Sequence, residues 1–273
     1  MKVLFLGDIV GHPGRQAVRA LLPRWRAEQA VDLVVANGEN AAGGTGLTPP
    51  VAEELFAAGV DVLTGGNHTW SKKEVDVLLT SNPPRVLRPL NYPPGTPGSG
   101  VGVFATPAGE NVAVINLLGR TFMQPLDSPF RALDQALLQL AGQVRVILVD
   151  FHAEATSEKV ALGWYADGRV SACIGTHTHV PTADERILPQ GTAYLTDAGM
   201  VGPIHSVLGV KTEIILAGFL RQLPVRHEVE RRGPVEVNGV WLDIDEASGR
   251  ARAISRLREI WTAPATSPAE TAG

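Results

Sequence analysis

Six short apolar runs, each closed by polar or turn-forming residues, limit what this chain can fold into. Val3–Gly7, Leu33–Ala36, Val60–Thr64, Val112–Leu117, Val144–Val149 and Val170–Ile174 have the length and composition of buried strands. Between them, Gln16–Glu28, Pro49–Ala58, Lys72–Thr80, Arg131–Ala141 and Glu158–Ala166 repeat apolar residues at helical spacing. Thr48 ahead of Pro49 has the form of an N-cap followed by proline at the first helical position, with Glu53 and Glu54 in the early turns. Strand–helix alternation predicts an α/β architecture. Toward the C-terminus the pattern becomes alternating in Val235–Val237 and Trp241–Ile244, and Asn238-Gly239 between them reads as the turn of an antiparallel hairpin. The fold is therefore expected to be mixed.

The Pro/Gly-rich stretch Asn91–Gly100 could link two domains, but ligand-type residues fall on both sides of it, so it reads as a surface excursion. One domain over residues 1–262 and a disordered tail over 263–273, within Thr262–Gly273, follow. With 24 basic and 28 acidic residues the net charge is −4, which advertises no general affinity for nucleic acid or a membrane surface. A single cysteine, Cys173, excludes an internal disulfide and a thiolate metal site, and it reads as a small core residue. No apolar stretch approaches the roughly 20 residues of a membrane span, and MKVLFLGD is too short in its apolar part for a signal peptide. A cytoplasmic protein is expected.

Residues with ligand chemistry stand where apolar runs stop. Asp8 follows VLFLG, Glu39 and Asn40 follow LVVANG, Asn67 and His68 follow VLTGG, His152 follows VILVDF, and His177 and His179 follow ACIGT. The carboxyl ends of strands form the binding edge of an α/β sheet, so these residues would converge there. Each has a plainer reading alone. Asp8 could cap a turn, NGEN could be a polar loop bent at Gly38, and Asn67-His68 could be an ordinary turn. His177 and His179, two residues apart, would point to one side of an extended segment as two metal ligands must. Taken together the set favours a metal site. Gly43-Gly44-Thr45-Gly46 lacks the Walker lysine and the GxGxxG spacing, so it reads as a flexible loop rather than a phosphate cradle. His12 and His227 lack ligand-like company, while His205 in DAGMVGPIHS could reach the site. No GxSxG supports a serine nucleophile.

In order, GDIVG, GNH at Asn67, the lone His152 and GTHTH ending at His179 resemble the blocks of the calcineurin-like metallophosphoesterases. That family's fold implies two mixed β-sheets flanked by helices. Two positions depart from its pattern: Val10 stands where the first block carries a histidine, and NGEN replaces the block that supplies a bridging aspartate. With NHTW and TDAGMVGP, this combination resembles the YmdB branch, whose members are phosphodiesterases of 2′,3′-cyclic nucleotides with a link to RNA. The resemblance implies two divalent ions, one held by Asp8, Glu39, Asn40 and His179, its neighbour by Glu39, Asn67, His152 and His177. Glu39 would bridge, and Asn40 would supply what Val10 cannot. Oxygen and imidazole donors suit iron or manganese, with zinc also compatible. Such a pair shares a hydroxide that attacks phosphorus, and the resemblance gives His68 the role of general acid.

Two other classes compete with a phosphodiesterase. One is a non-catalytic regulator that binds a nucleotide or RNA in the same pocket; the filled ligand set and the retained His68 favour an enzyme. The other is a metal-dependent hydrolase of amides or thioesters, disfavoured by the order of the phosphoesterase blocks. A small phosphodiester or nucleotide is the expected substrate, with no membrane partner; self-association is left open.

Overall fold

The computed structural model describes residues 1–264 and has a four-layer arrangement, helices–sheet–sheet–helices. The elements run β1 (Lys2–Ile9), α1 (Gly11–Gln29), β2 (Leu33–Asn37), α2 (Pro49–Ala57), β3 (Val62–Thr64), α3 (Val75–Leu79), β4 (Val86–Leu87), β5 (Val101–Ala105) and β6 (Asn111–Leu118). They continue through α4 (Pro129–Leu140), β7 (Val146–His152), α5 (Thr156–Ala166), β8 (Ala172–Thr176), β9 (Arg186–Ile187), β10 (Ala193–Leu195) and β11 (Met200–Pro203) to α6 (Thr212–Arg221), β12 (Val235–Ile244) and β13 (Ala251–Trp261). The tail expected to be disordered lies, from residue 265 on, outside the described residues.

The first sheet has the order β13-β12-β11-β1-β2-β3-β4, and the second β5-β6-β7-β8-β10-β9. Both are mixed: β1 to β4 run parallel while β12 and β13 are antiparallel, and β6, β7, β8 and β10 run parallel between antiparallel edges. Strand alternation explains the layering. Val3 and Phe5 of β1, Leu33 and Val35 of β2, and Val112 and Val114 of β6 pack between the sheets. Their neighbours Leu4, Leu6, Val34 and Ala36 face the side of the first sheet covered by α1 and α2, with Leu21, Leu22 and Leu55. Ala113 and Ile115 face α4 and α5, meeting Leu133 and Leu162. Cys173 lies in that last cluster as a buried thiol, as expected, and burial pushes its pKa up to about 12.

Several expectations are corrected. Asn238-Gly239 is not a turn but the middle of β12, and the β12–β13 connection falls at 245–250. The pair marks a change of partner: Val235–Val237 bond to β11, whereas Gly239 onward bonds to β1. Asn238 Nδ2 donates to the Met200 carbonyl at 2.9 Å, and a β-carbon on Gly239 would lie 2.3 Å from Phe5 O. Close approach of a second strand, not turn geometry, selects that glycine. Helix α1 begins at Gly11, earlier than Gln16, because Pro13 is tolerated in a first turn. Helix α3 is shorter than Lys72–Thr80, and Thr48 occupies the N-cap position without a side-chain capping bond. The 43–46 loop is wound into tight turns, with Gly43 N donating to Ala41 O and Gly44 N to Asn40 O, so these amides point at the loop itself. No helix among the described residues is long and apolar enough to cross a membrane.

Candidate metal centre

The seven residues singled out as ligands arrive from strands of both sheets. Asp8 is the penultimate residue of β1, just after a register shift between Leu6 and Asp8. A β-carbon on Gly7 would lie 2.0 Å from Gly199 O, so only glycine lets β1 bend past β11 here. Glu39 and Asn40 follow β2, Asn67 follows β3, His152 ends β7, and His177 and His179 follow β8. Gly38 was expected to supply the bend in NGEN, yet its φ is not left-handed; the turn is held by Asn37 Oδ1 accepting from Glu39 N at 3.2 Å.

Contacts join all seven. Asn40 Nδ2 lies 3.2 Å from both Asp8 Oδ1 and His179 Nε2, and His179 Nε2 lies 3.6 Å from Asp8 Oδ1. On the other side, His152 Nε2 has Glu39 Oε1 at 2.9 Å, His177 Nδ1 at 3.0 Å and Asn67 Oδ1 at 3.1 Å. Glu39 Oε1 is buried and makes no hydrogen bond. His205 is exposed and lies against Gly233, with no contact to the cluster.

The two histidines after β8 do not sit on an extended segment. His177 has φ 101° and His179 φ 66°, both left-handed, so neither reaches the cluster by strand alternation. Two backbone bonds hold the strained loop: His177 N donates to Asp8 Oδ2 at 3.1 Å, and Thr178 N to Asp197 Oδ2 at 3.1 Å. Asp197 is itself fixed by Lys159 Nζ at 2.5 Å, a fully buried ion pair.

Each histidine has one nitrogen held by an acceptor outside the cluster. Thr176 Oγ1 donates to Asp150 Oδ1 at 2.7 Å, which leaves it to accept from His152 Nδ1 at 2.9 Å. His177 Nε2 faces Glu154 Oε2 at 3.1 Å, and His179 Nδ1 faces the Leu208 carbonyl at 3.1 Å. In the tautomers these bonds select, His152 Nε2, His177 Nδ1 and His179 Nε2 turn lone pairs inward. A carboxylate oxygen, a side-chain carbonyl and two imidazole nitrogens then crowd one volume with no donor among them. Such a donor set fits a divalent cation. Among the described residues, Glu39, His152 and His177 alone already form a metal-compatible triplet.

Electrostatics agree. Burial alone would lower the His152 pKa, but the carboxylates of Glu39, Asp8 and Asp150 outweigh it and raise the ring to about 9. Burial and the charge of His152 push His177 down to about 4. Burial opposes ionisation of Asp8 and Glu39, yet the facing histidines hold both below the usual carboxylate range. The cluster therefore demands positive charge, from a proton or from a cation.

A ring of supporting residues escaped sequence reasoning. Asp150 accepts from Thr64, Thr176 and Asn37, and burial pushes its pKa up to about 6. Its one legible signal was a charged residue inside the apolar run VILVDF. Gly66 was missed too: a β-carbon there would lie 2.3 Å from Glu39 Oε2 and 2.4 Å from His152 Nε2. His68 is half-buried at the edge of the cluster; its backbone N donates to Glu39 Oε2 at 2.8 Å, and its Nδ1 lies 3.4 Å from Ser71 Oγ.

Comparison with known proteins gives a consistent set of relatives. A family model described as YmdB-like protein matches residues 4–257. A 2′,3′-cyclic-nucleotide 2′-phosphodiesterase of Bacillus subtilis (strain 168) is 48% identical over 257 residues, covering 94% of this chain and 96% of its own. A putative phosphatase/phosphodiesterase of Mycoplasma pneumoniae is 38% identical over 252 residues, covering 90% of this chain and 88% of its own. Among solved structures, a hypothetical protein from Thermus thermophilus superposes with a TM-score of 0.89 at 47% identity, covering 97% of this chain and 100% of its own. A structure described as a novel phosphatase from Mycoplasma pneumoniae gives a TM-score of 0.89 at 35% identity, covering 95% of this chain and 93% of its own.

Proposed function

Since the chain belongs to the YmdB-like family, we propose that it is a metal-dependent phosphodiesterase acting on 2′,3′-cyclic nucleotides or related RNA ends. The observation that carries this reading is the orientation of the three histidines, each with its outer nitrogen satisfied and its inner nitrogen turned into the cluster, where His152 Nε2 faces Glu39, His179 Nε2 faces Asp8 and His177 Nδ1 faces His152. That is the arrangement of metal ligands oriented by outer partners. The name of the Bacillus subtilis relative supplies the substrate class. Residues 1–262 are read as one domain, since the inner core draws on strands of both sheets, and a lone buried cysteine fits the reducing cytoplasm.

We assign one divalent ion to Asp8, Glu39, Asn40 and His179, and a second to Glu39, Asn67, His152 and His177. Iron or manganese suits these donors, with zinc also compatible. When bound, such ions supply Lewis acidity toward the phosphate and toward water. The chain's own part is positional. The Asp150–Thr176 pair keeps the His152 proton on Nδ1, and Leu208 does the same for His179. Glu39 has both oxygens committed to the site: Oε2 accepts from His68 N, which fixes that histidine at the rim, while Oε1 faces His152 Nε2 at 2.9 Å inside the cluster. His68 Nε2 makes no hydrogen bond among the described residues, so it can carry a proton to the departing ribose oxygen.

The test is a substrate screen. Purified protein supplied with manganese or iron should hydrolyse 2′,3′-cyclic AMP and a bis-aryl phosphodiester, and leave an aryl amide intact. Tight nucleotide binding without turnover would favour the regulatory reading, and amide cleavage would overturn the phosphodiesterase assignment.

A further inference from the structure

A cavity of about 870 Å³ opens beside the metal cluster, between the Pro/Gly-rich excursion after Leu90 and the 119–128 loop that joins β6 to α4. That volume is within the ~300–1,000 Å³ of small-molecule sites. Its inner wall is tied to the cluster. Asn91 Nδ2 donates to the Leu118 carbonyl at 2.8 Å, and Gly119 N, next along the chain, donates to the His152 carbonyl at 2.9 Å. Tyr92 in the lining packs edge-on against Trp70, ring centroids 4.7 Å apart, and Trp70 lies two residues after His68. Burial, and next the charge of Glu39, raise the Tyr92 pKa above that of an ordinary phenol, so the ring is within electrostatic reach of the proposed ligands.

The lining is basic in a chain that is acidic overall. Arg88, Arg120 and Arg131 stand against one carboxylate, Asp127, although the whole chain carries −4. Arg88 is buried, and its guanidinium donates to backbone carbonyls between Pro89 and Pro97, which shapes the excursion. Arg120 and Arg131 are exposed, and neither guanidinium has a hydrogen-bond or ion-pair partner among the described residues; Glu158 takes only the backbone N of Arg120. Between Arg120 and Pro125, both in the lining, Phe122 is 91% exposed with a left-handed φ of 62°. A bulky residue held in that conformation gains nothing here from packing. An aromatic face offered to water beside free guanidinium groups is the surface that single-stranded nucleic acid uses. Building on the phosphodiesterase reading, we propose that this groove holds the nucleotide preceding the cyclic phosphate of an RNA 3′ end, so that the preferred substrate is an oligoribonucleotide rather than a free mononucleotide. Arg120 and Arg131 take the phosphodiester that links the last two nucleotides, through the planar fork of the guanidinium. Phe122 stacks on the preceding base, and Tyr92 stands where the RNA crosses from the groove to the cluster. Stacking is indifferent to base identity, so the groove selects for chain length and not for sequence.

The groove is read by kcat/KM for a diadenylate ending in a 2′,3′-cyclic phosphate against kcat/KM for 2′,3′-cyclic AMP. The wild type should favour the dinucleotide by about tenfold, the size of one stacked base. Arg120→Ala combined with Arg131→Ala, and separately Phe122→Ala, should each cut that preference several-fold, with circular dichroism and the rate on 2′,3′-cyclic AMP unchanged. Binding of a fluorescein-labelled tetraadenylate bearing a 3′-phosphate, which cannot turn over, should weaken in the same variants. A wild type without preference would overturn the proposal, as would a double arginine variant that keeps the preference and the binding. So would equal losses on both substrates, which would make the groove the seat of the cyclic nucleotide's own base. Failure to hydrolyse either substrate would instead sink the phosphodiesterase reading, and tetraadenylate binding by wild type and double variant would then decide the groove by itself.

Discussion

Gly66 lies flush against Glu39: a β-carbon on the glycine would sit 2.3 Å from Glu39 Oε2, inside any permitted contact. The same hypothetical atom would meet His152 Cδ2 at 2.3 Å. Gly66 has no left-handed φ, so the backbone itself could accept alanine; the space cannot. The glycine is thus a shape requirement of the cluster, imposed by two of its proposed ligands at once.

Gly66→Ala should therefore act on the site more than on the fold. Glu39 and His152 must move apart, and we expect metal content to drop and diesterase rate to fall by at least ~10²-fold, the penalty of a small misplacement in a reacting geometry. Elemental analysis beside a thermal melt checks this. Full metal content and rate would contradict the packing argument.

His68→Ala should leave metal content unchanged, because His68 contributes only its backbone N to Glu39. Turnover of substrates with a poor alkoxide leaving group should slow by about 10²–10⁴-fold. A nitrophenolate leaving group needs little protonation and should lose much less. Equal losses on both substrates would contradict a proton-donor role.

Gly239→Ala tests the change of strand partner within β12. The added carbon would stand 2.3 Å from Phe5 O, and forcing it in should cost about 1–3 kcal/mol of stability, read from the urea midpoint. Activity of the protein that remains folded should be unaffected. No loss of stability would mean that β1 does not approach β12 so closely.

Much of this was legible in the sequence for a physical reason. Buried parallel strands show as uninterrupted apolar runs, and their carboxyl ends are where a sheet opens; hence the convergence of Asp8, Glu39, Asn67, His152 and His177 could be expected from their joint position at strand ends, although each alone also fits a turn or a cap. What the sequence hid was long-range. Asn238-Gly239 has the composition of a tight turn, and only the approach of β1 reveals that it is not one. His177 and His179 look like an alternating pair until the bonds to Asp8 and Asp197 fix their left-handed backbone. Lys159 reads as the polar face of a helix, yet it is buried against Asp197. Thr64, Asp150 and Thr176 lie in three different strands, so no spacing could join them.

Glu39 carries the central claim, because one side chain is assigned to both ions. Glutamine keeps nearly the same shape but loses the charge and one acceptor oxygen, and a polar change in a loop opens no core cavity. The direct measurement is metal ions per chain, by elemental analysis, for wild type and Glu39→Gln, beside their rates on 2′,3′-cyclic AMP. Two ions and turnover are expected in the wild type, and in Glu39→Gln a folded protein with reduced or uneven occupancy and most activity gone. A folded Glu39→Gln protein with wild-type metal content and rate would contradict the bridging assignment.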